Sequence, residues 1–344
     1  MMRARLRIYT ISDQDNSGPW IRAKFPDIFY VVSAHGWNQY SQGSWLGMNA
    51  GAGEGADNTK VLNAWLREHI QVGDFGVESY PPVKFGMEGD TPSFLWLVQN
   101  GLNHRGRIDW GGWGGRYTRP QAEPDWNDGI DMNHFHNASD FGVLGIDGKR
   151  YSDHKTTIWR WRDAVQDDFA ARMHWTLTDQ FSEAGHPPVV DINSHTGVDP
   201  LIIKVQPGEV HNLDASGTYN PDHGHSATDL DYTWMLYGDV NGFHFFGNGP
   251  EVKIEATGKA SRGLQLDQST AGFFNHTRGS QVQVHVPAVE RNPQTGLVTP
   301  DFHVVLQVTN SAGPYPIRRY KRVIFSYVLD GISIPLGKVP DGFE

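Results

Sequence analysis

Cysteine is absent from the 344 residues. That excludes disulfides, thiol nucleophiles and thiolate metal sites, and leaves the redox compartment open. No apolar run approaches the ~20 residues of a membrane-spanning helix. Basic charge is also short. The chain has 29 Lys and Arg against 39 Asp and Glu, a formal net charge of −10. A duplex-binding face needs a basic patch, so nucleic acid is excluded as the main partner. The one basic run, Arg318-Arg319-Tyr320-Lys321-Arg322, reads as the exposed side of a strand. No Ser-His-Asp set, phosphate-binding loop or dinucleotide fingerprint occurs. Met1 to Arg7 are basic with no hydrophobic segment behind them, so no export signal is expected from this stretch.

What is present suits a globular chain. Apolar content is 38% and aromatic content 12%, enough for real cores, and the length fits two moderate domains. The 12 Trp residues include several in Gly-rich or polar surroundings. That setting points to carbohydrate contact, although core packing is the commoner use of Trp.

The stretch with most chemistry is Phe85-Gly86-Met87-Glu88-Gly89-Asp90-Thr91-Pro92-Ser93-Phe94-Leu95. Two carboxylates, Glu88 and Asp90, sit among glycines that let the backbone turn and a ligand approach. Thr91 reads as a helix cap and Pro92 as the first helical residue. Downstream, Trp110, Trp113 and Tyr117 lie on the glycine-rich Asp109–Tyr117 segment. Carboxylates beside an aromatic loop are the usual equipment of a sugar site: the acids hold hydroxyls or a cation, and the rings stack on the apolar sugar face.

Periodicity divides the chain. Leu6–Ile11 reads as a strand, Pro19–Phe25 as a short helix, and Ile28–Val32 as a strand covered on both faces. Asp57 or Asn58 is expected to cap a helix from about Thr59 to Ile70. Residues 118–153 read as irregular. Ile158, Trp161, Val165, Phe169 and Met173 mark one long amphipathic helix, with Arg160 and Arg162 on a solvated salt-bridge face. Alternating strands and helices predict an α/β fold, a parallel sheet with flanking helices, over residues 1–180. His186-Pro187-Pro188 reads as the linker. Beyond it the period becomes two, in Leu201/Ile203/Val205, Tyr232/Trp234/Leu236, Val282/Val284/Val286 and Val304/Leu306/Val308, which predicts a β-sandwich over 186–330. Residues 331–344 read as a surface tail.

Longer strings show a resemblance. Tyr9–Asp15, Gly18–Arg22, Glu88–Leu95, Asn100–Leu102, Trp110–Tyr117 and Thr157–Arg162 resemble the bacterial family of cellulose-binding proteins with a nucleoside-hydrolase-like domain. Gly208–Val210, Leu213–Gly217 and Tyr232–Trp234 resemble its immunoglobulin-like, polycystic-kidney-disease-type C-terminal sandwich. The resemblance implies a secreted or periplasmic setting and a carbohydrate or ribosyl ligand. It makes Asp90 a calcium ligand and places ribose-holding groups at Asp13, Gln14, Asp15 and Asn16. The parent fold opens with an Asp cluster that binds calcium and activates water. This chain starts in the middle of that domain, as an N-terminal truncation would. One carboxylate pair is a poor calcium site, because calcium wants six to eight oxygens.

Three functions follow: a cellulose-type carbohydrate-binding protein, a calcium-dependent hydrolase of N-glycosyl bonds, or an adhesion module in which the sandwich does the work. The missing Asp cluster favours binding over catalysis. The Asp13–Asn16 and Glu88–Asp90 turns are expected to line one cleft. His134-Phe135-His136 and His223-Gly224-His225 have ligand-like spacing but lack further ligands nearby in sequence, so metal binding is the lesser reading for both.

Overall fold

The computed structural model describes residues 5–11, 17–33, 44–53, 55–84, 86–118, 134–223, 230–240, 252–258, 276–288, 301–329 and 332–333. The first half is built on a four-stranded sheet in the order β1 (Arg7–Thr10), β2 (Phe29–Val32), β4 (His134–Asn137), β3 (Tyr117–Thr118). β1, β2 and β4 run parallel, and β3 is antiparallel to β4. The continuous apolar run of β2 is explained by cover on both faces. Phe29 and Val31 pack with Trp96, Ile108, Tyr117 and Phe135, while Tyr30 and Val32 pack with Ile8, Ile21 and Phe25 beside the Ser17–Lys24 helix.

Several local expectations are revised. Only a short 3-10 turn, Thr59–Val61, follows Asp57; its cap position is Asn58, without a side-chain cap bond, and Asp57 accepts from the Thr59 N–H at 2.9 Å. The helix proper runs Asn63–His69 and has no side-chain cap. Residues 118–153 are not all irregular: β4 falls there, as do the paired strands β5 (Asp140–Leu144) and β6 (Arg150–Asp153). Those strands are only four or five residues long and carry few apolar residues, so they give little periodic signal.

The long helix is two helices, Thr156–Trp159 and Arg162–Trp175. The break is a tightened turn in which the Trp161 N–H bonds the Ile158 carbonyl. It carries Arg160 inward to Asp140. Arg160 and Arg162 are therefore buried rather than solvated. Arg162 donates to the Asn49 and Asp57 carbonyls.

The second half is all-β. Strands β8 (Val210–Asp214), β12 (Gln281–His285) and β10 (Lys253–Ala256) form one sheet. The larger sheet contains β7 (Leu201–Val205), β9 (Leu230–Leu236), β11 (His276–Arg278), β13 (Asp301–Asn310), β14 (Ile317–Leu329) and β15 (Ile332–Ser333). The two sheets share one core, with Leu213, Ile254, Val282 and Val284 meeting Trp234, Leu236, Val304, Leu306, Val308, Val323 and Phe325. This is the period-two pattern in three dimensions.

Yet every residue of β9 and β13 is buried, not every second one. The outer face of these strands is covered by the α/β half. Met235, Tyr237, Val305 and Tyr320 pack with Met48, Leu95, Leu102, Trp113, Ile158, Trp161 and Val165. Arg318, Tyr320 and Arg322 lie on this covered face, while Lys321 points the other way and donates to the Thr196 and Gly197 carbonyls, so the basic run is not the exposed side of a strand. Arg318 reaches Asp167, Arg319 reaches Asp168, and Arg322 donates to the Leu102, Trp110 and Gly111 carbonyls. Gly101 shows how close the halves approach. It sits at φ +85°, and a Cβ there would stand 1.9 Å from the Tyr320 carbonyl oxygen. Only glycine combines that φ with that contact.

The Pro187-Pro188 connection is anchored. His186 bonds Asp222 through Nδ1 at 2.5 Å and lies against the rings of Phe181 and Trp175.

Candidate functional site

Glu88 heads the turn that leads into a single helical turn, Pro92–Leu95, with Pro92 in the first position as expected. Thr91 does not cap that turn. Its hydroxyl donates instead to Glu88 Oε2. The other carboxylate oxygen, Oε1, accepts from the Tyr80 hydroxyl at 2.5 Å. Burial first, and the Glu88 charge second, push the Tyr80 hydroxyl well above its ordinary range, so it stays protonated and donates. Glu88 itself holds φ +54°, a left-handed conformation uncommon for a side chain with a β-carbon. Such strained residues concentrate at ligand sites because the surroundings must hold them there.

Behind Glu88 lies a cavity of about 520 Å³. Its walls are mainly apolar, from Met48, Phe94, Leu95, Val98, Trp113, Val165 and Phe169, with Glu88, Thr91, Gln166, Asp168 and Arg172 as polar members. The Arg162–Trp175 helix supplies one side. The Glu88–Leu95 turn supplies the other, and the 110–115 loop closes the back. Gly114 permits that closure, since a Cβ there would meet the Pro92 carbonyl oxygen at 2.7 Å. Asn103 pins the loop, accepting from the Trp113 N–H at 2.9 Å while donating to the Leu95 and Val98 carbonyls.

The polar members differ in how fully they are engaged. Asp168 takes Arg172 at 2.7 Å and Arg319 at 2.9 Å, so it serves the fold. Arg172 uses its Nε for that bond and lies over the Trp175 ring. Its two terminal nitrogens have no hydrogen bond among the described residues. Gln166 is buried and donates to the Lys60 carbonyl, and its side-chain carbonyl has no partner among the described residues. Glu88 has one lone pair on each oxygen still to offer.

The structure sorts the residues singled out in sequence. Glu88 is at the cavity mouth. Asp90 is exposed and does not line the cavity. Asp13, Gln14, Asp15 and Asn16 lie outside the described residues, as does the expectation that their turn shares a cleft with Glu88. Trp110, Trp113 and Tyr117 are 3%, 1% and 0% exposed. That corrects their assignment as sugar-stacking faces. Trp110 and Tyr117 are core residues, and Trp113 reaches the cavity only as part of its wall. The glycines around them serve backbone close approach and do not present rings to solvent.

No group of three or more His, Cys, Asp or Glu side chains converges among the described residues. One exposed carboxylate at Asp90 does not fit calcium, which needs several converging oxygens. His134 is buried and its ring is pushed down to about 4, by burial first and by Arg22 second. His136 sits two residues on along the same strand. The side chains of the His223–His225 stretch lie outside the described residues. No described helix is long and apolar enough to cross a membrane.

Sequence reasoning missed Tyr80, Phe94, Gln166 and Arg172. Only Arg172 had a signal, its spacing of four from Asp168 on a helix.

With this geometry in place, comparison with known proteins is informative. Residues 1–117 match the family model for the nucleoside hydrolase-like domain of cellulose-binding Sde182, and residues 210–327 match the C-terminal domain of cellulose-binding protein Sde0182. Both matches are to domains of the cellulose-binding Sde182 family. The Glu88 turn and the Trp113 loop fall within the first matched domain of that family, and the docking strands β9, β13 and β14 within the second, β14 up to residue 327.

A solved structure of a nucleoside hydrolase-related hypothetical protein from Saccharophagus degradans, described as associated with carbohydrate metabolism, is similar in fold. It is 24% identical, with a TM-score of 0.60 over 95% of this chain. The chain spans 64% of that protein's length. The CooA pilin subunit of enterotoxigenic Escherichia coli also matches, at 14% identity over 41% of this chain and 99% of its own. Its TM-score of 0.20 carries no structural argument. No curated protein matches the chain.

Proposed function

We propose that this chain is a carbohydrate-binding protein that holds cellulose or a related polysaccharide in the cavity behind Glu88. The observation that supports this most directly is the Glu88 carboxylate, clamped by two hydroxyls at the mouth of an apolar cavity. Sugars need both features. Their hydroxyls take charged acceptors and donors, and their C–H faces take apolar walls. Glu88 supplies the acceptor and Arg172 the donor. Phe94, 54% exposed, supplies an apolar face at the rim. The family match supports the ligand class, and a polysaccharide ligand suits a secreted or periplasmic protein. The two-layered second half is read as an immunoglobulin-like sandwich that braces the cavity from behind.

The nucleoside hydrolase-like domain match supports a second reading, calcium-dependent cleavage of a ribosyl N-glycosyl bond. Both are tested on one preparation, by retention on insoluble cellulose and by a ribonucleoside hydrolysis assay with and without calcium. Retention that falls in Glu88→Gln, with no hydrolysis, supports the binding reading. Calcium-dependent hydrolysis without retention overturns it.

A further inference from the structure

We infer that the cavity accepts a single separated glucan strand, one or two sugar units deep, and does not recognise the flat face of crystalline cellulose. This rests on the carbohydrate-binding reading and sharpens it. A flat crystalline face is matched by a flat protein face, with several exposed aromatic rings held in one plane so that each stacks on a separate sugar. Among the described tryptophans that surface is missing, and the other exposed rings are single phenylalanines such as Phe75 and Phe141. Trp96, Trp110, Trp113, Trp159, Trp161 and Trp234 are buried in cores. Trp20 is the one described tryptophan that is largely exposed, and it meets Phe25 edge-on at 80°. Phe181 is exposed but has one face stacked on His186.

The chain instead has a partly open cleft of about 520 Å³, a volume in the range of small-ligand sites. Its polar groups also suit a strand entered from the side of its hydroxyls. Glu88 offers two acceptor sites from one carboxylate, the spacing that takes adjacent hydroxyls. Arg172 offers its two terminal NH2 groups, and Gln166 a side-chain carbonyl without a described partner. On a crystalline face those equatorial hydroxyls are engaged with neighbouring strands, so a hydroxyl-reading cavity is useless there. On a loose strand or a soluble oligosaccharide they are available.

The test compares retention on amorphous and on crystalline cellulose, with soluble cellobiose and cellotetraose as competitors and calorimetric titration of cellotetraose. The expected result is retention on amorphous cellulose that cellotetraose displaces, little retention on the crystalline form, and at least tenfold weaker cellotetraose binding in Glu88→Gln and in Phe94→Ala. Phe94 is half in solvent, so its truncation leaves the core intact, and a melting curve confirms folding of both variants. Retention on crystalline cellulose that cellotetraose does not displace and that neither variant weakens overturns this inference while leaving the carbohydrate-binding reading standing. Failure to retain on either form overturns both.

Discussion

Asp239 provides the sharpest quantitative check on how the two halves are joined. It follows β9 in the second half, and its carboxylate accepts from the Phe141 N–H of the first half at 2.9 Å. Its side chain is 5% exposed, and Arg160 stands 3.7 Å away. Arg160 is already committed to Asp140, which also takes Arg116 at 2.7 Å and the Tyr237 hydroxyl at 2.8 Å. Burial alone would raise Asp140, but the two guanidinium groups outweigh it and hold that carboxyl below its ordinary range. Asp239 receives the remainder. Burial first, and the Asp140 charge second, push it up to about 7 from an ordinary 3.8.

Between those two values the folded chain holds a proton that the unfolded chain has released. Stability from this group is therefore full below pH 4, falls as pH rises, and levels off above pH 7. Three units at about 1.4 kcal/mol each make the loss on the order of 4 kcal/mol. Asp239→Asn removes the titration. Other groups titrate in the same range, including His134 and His303, both pushed down to about 4. The readout is thus the difference between variant and parent in denaturant unfolding at pH 4.5, 6 and 8. The variant should gain on the parent steadily, by a few kcal/mol overall. A difference that stays flat across that range would refute the buried-charge account of this junction.

Three further outcomes follow from contacts already described. Gly101→Ala places a methyl group against the Tyr320 carbonyl in a left-handed backbone, so unfolding free energy should drop by more than ~3 kcal/mol; a loss under ~1 kcal/mol would mean the halves dock more loosely than described. Trp113→Ala should cost ~3–5 kcal/mol in chemical denaturation, as for a buried ring; near-parent stability with lost sugar binding would restore Trp113 as a stacking face. Tyr80→Phe removes one hydroxyl from Glu88, and cellotetraose affinity should fall by ~fivefold in calorimetry; unchanged affinity would remove Tyr80 as the group that positions Glu88.

Where the sequence could be read, the signal was local. The apolar run of β2, the proline at the start of the Pro92–Leu95 turn and the period-two strands each state their own environment within a few residues. The Glu88 turn stood out for the same local reason, two acids among glycines, a pattern that also serves turns and helix starts. What failed was whatever is decided by segments distant in the chain, in the same half or in the other. Arg160, Arg162 and the Arg318–Arg322 run carry charges that alone predict solvent. Arg160 and Arg162 are taken inward by Asp140 and by the Asn49 and Asp57 carbonyls of their own half, and Arg318, Arg319 and Arg322 by Asp167, Asp168 and backbone carbonyls across the junction. Trp110 and Trp113 misled by the glycines beside them, which serve close packing of the loop and not exposure of the rings. Gln166 had no signal and Arg172 only its spacing from Asp168, because a helix read as packing reveals its cavity side only once the opposing turn is in place.

The junction bears on which half does the work. An adhesion module at the C-terminal end would keep its larger sheet free or its edges available. Here the outer face of β9, β13 and β14 is spent on the α/β half, through Met235, Tyr237, Val305 and Tyr320. The same strands reach the cavity wall indirectly. Arg319 holds Asp168, which in turn holds Arg172, and Tyr320 backs Trp113 edge-on at 6.4 Å. The sheet thus fixes the helix and the loop that line the cavity, while no described residue of its own lines it. Binding and bracing are divided between the halves. A substitution on the buried face of β14 should then alter sugar affinity through the position of Arg172, although it touches no sugar.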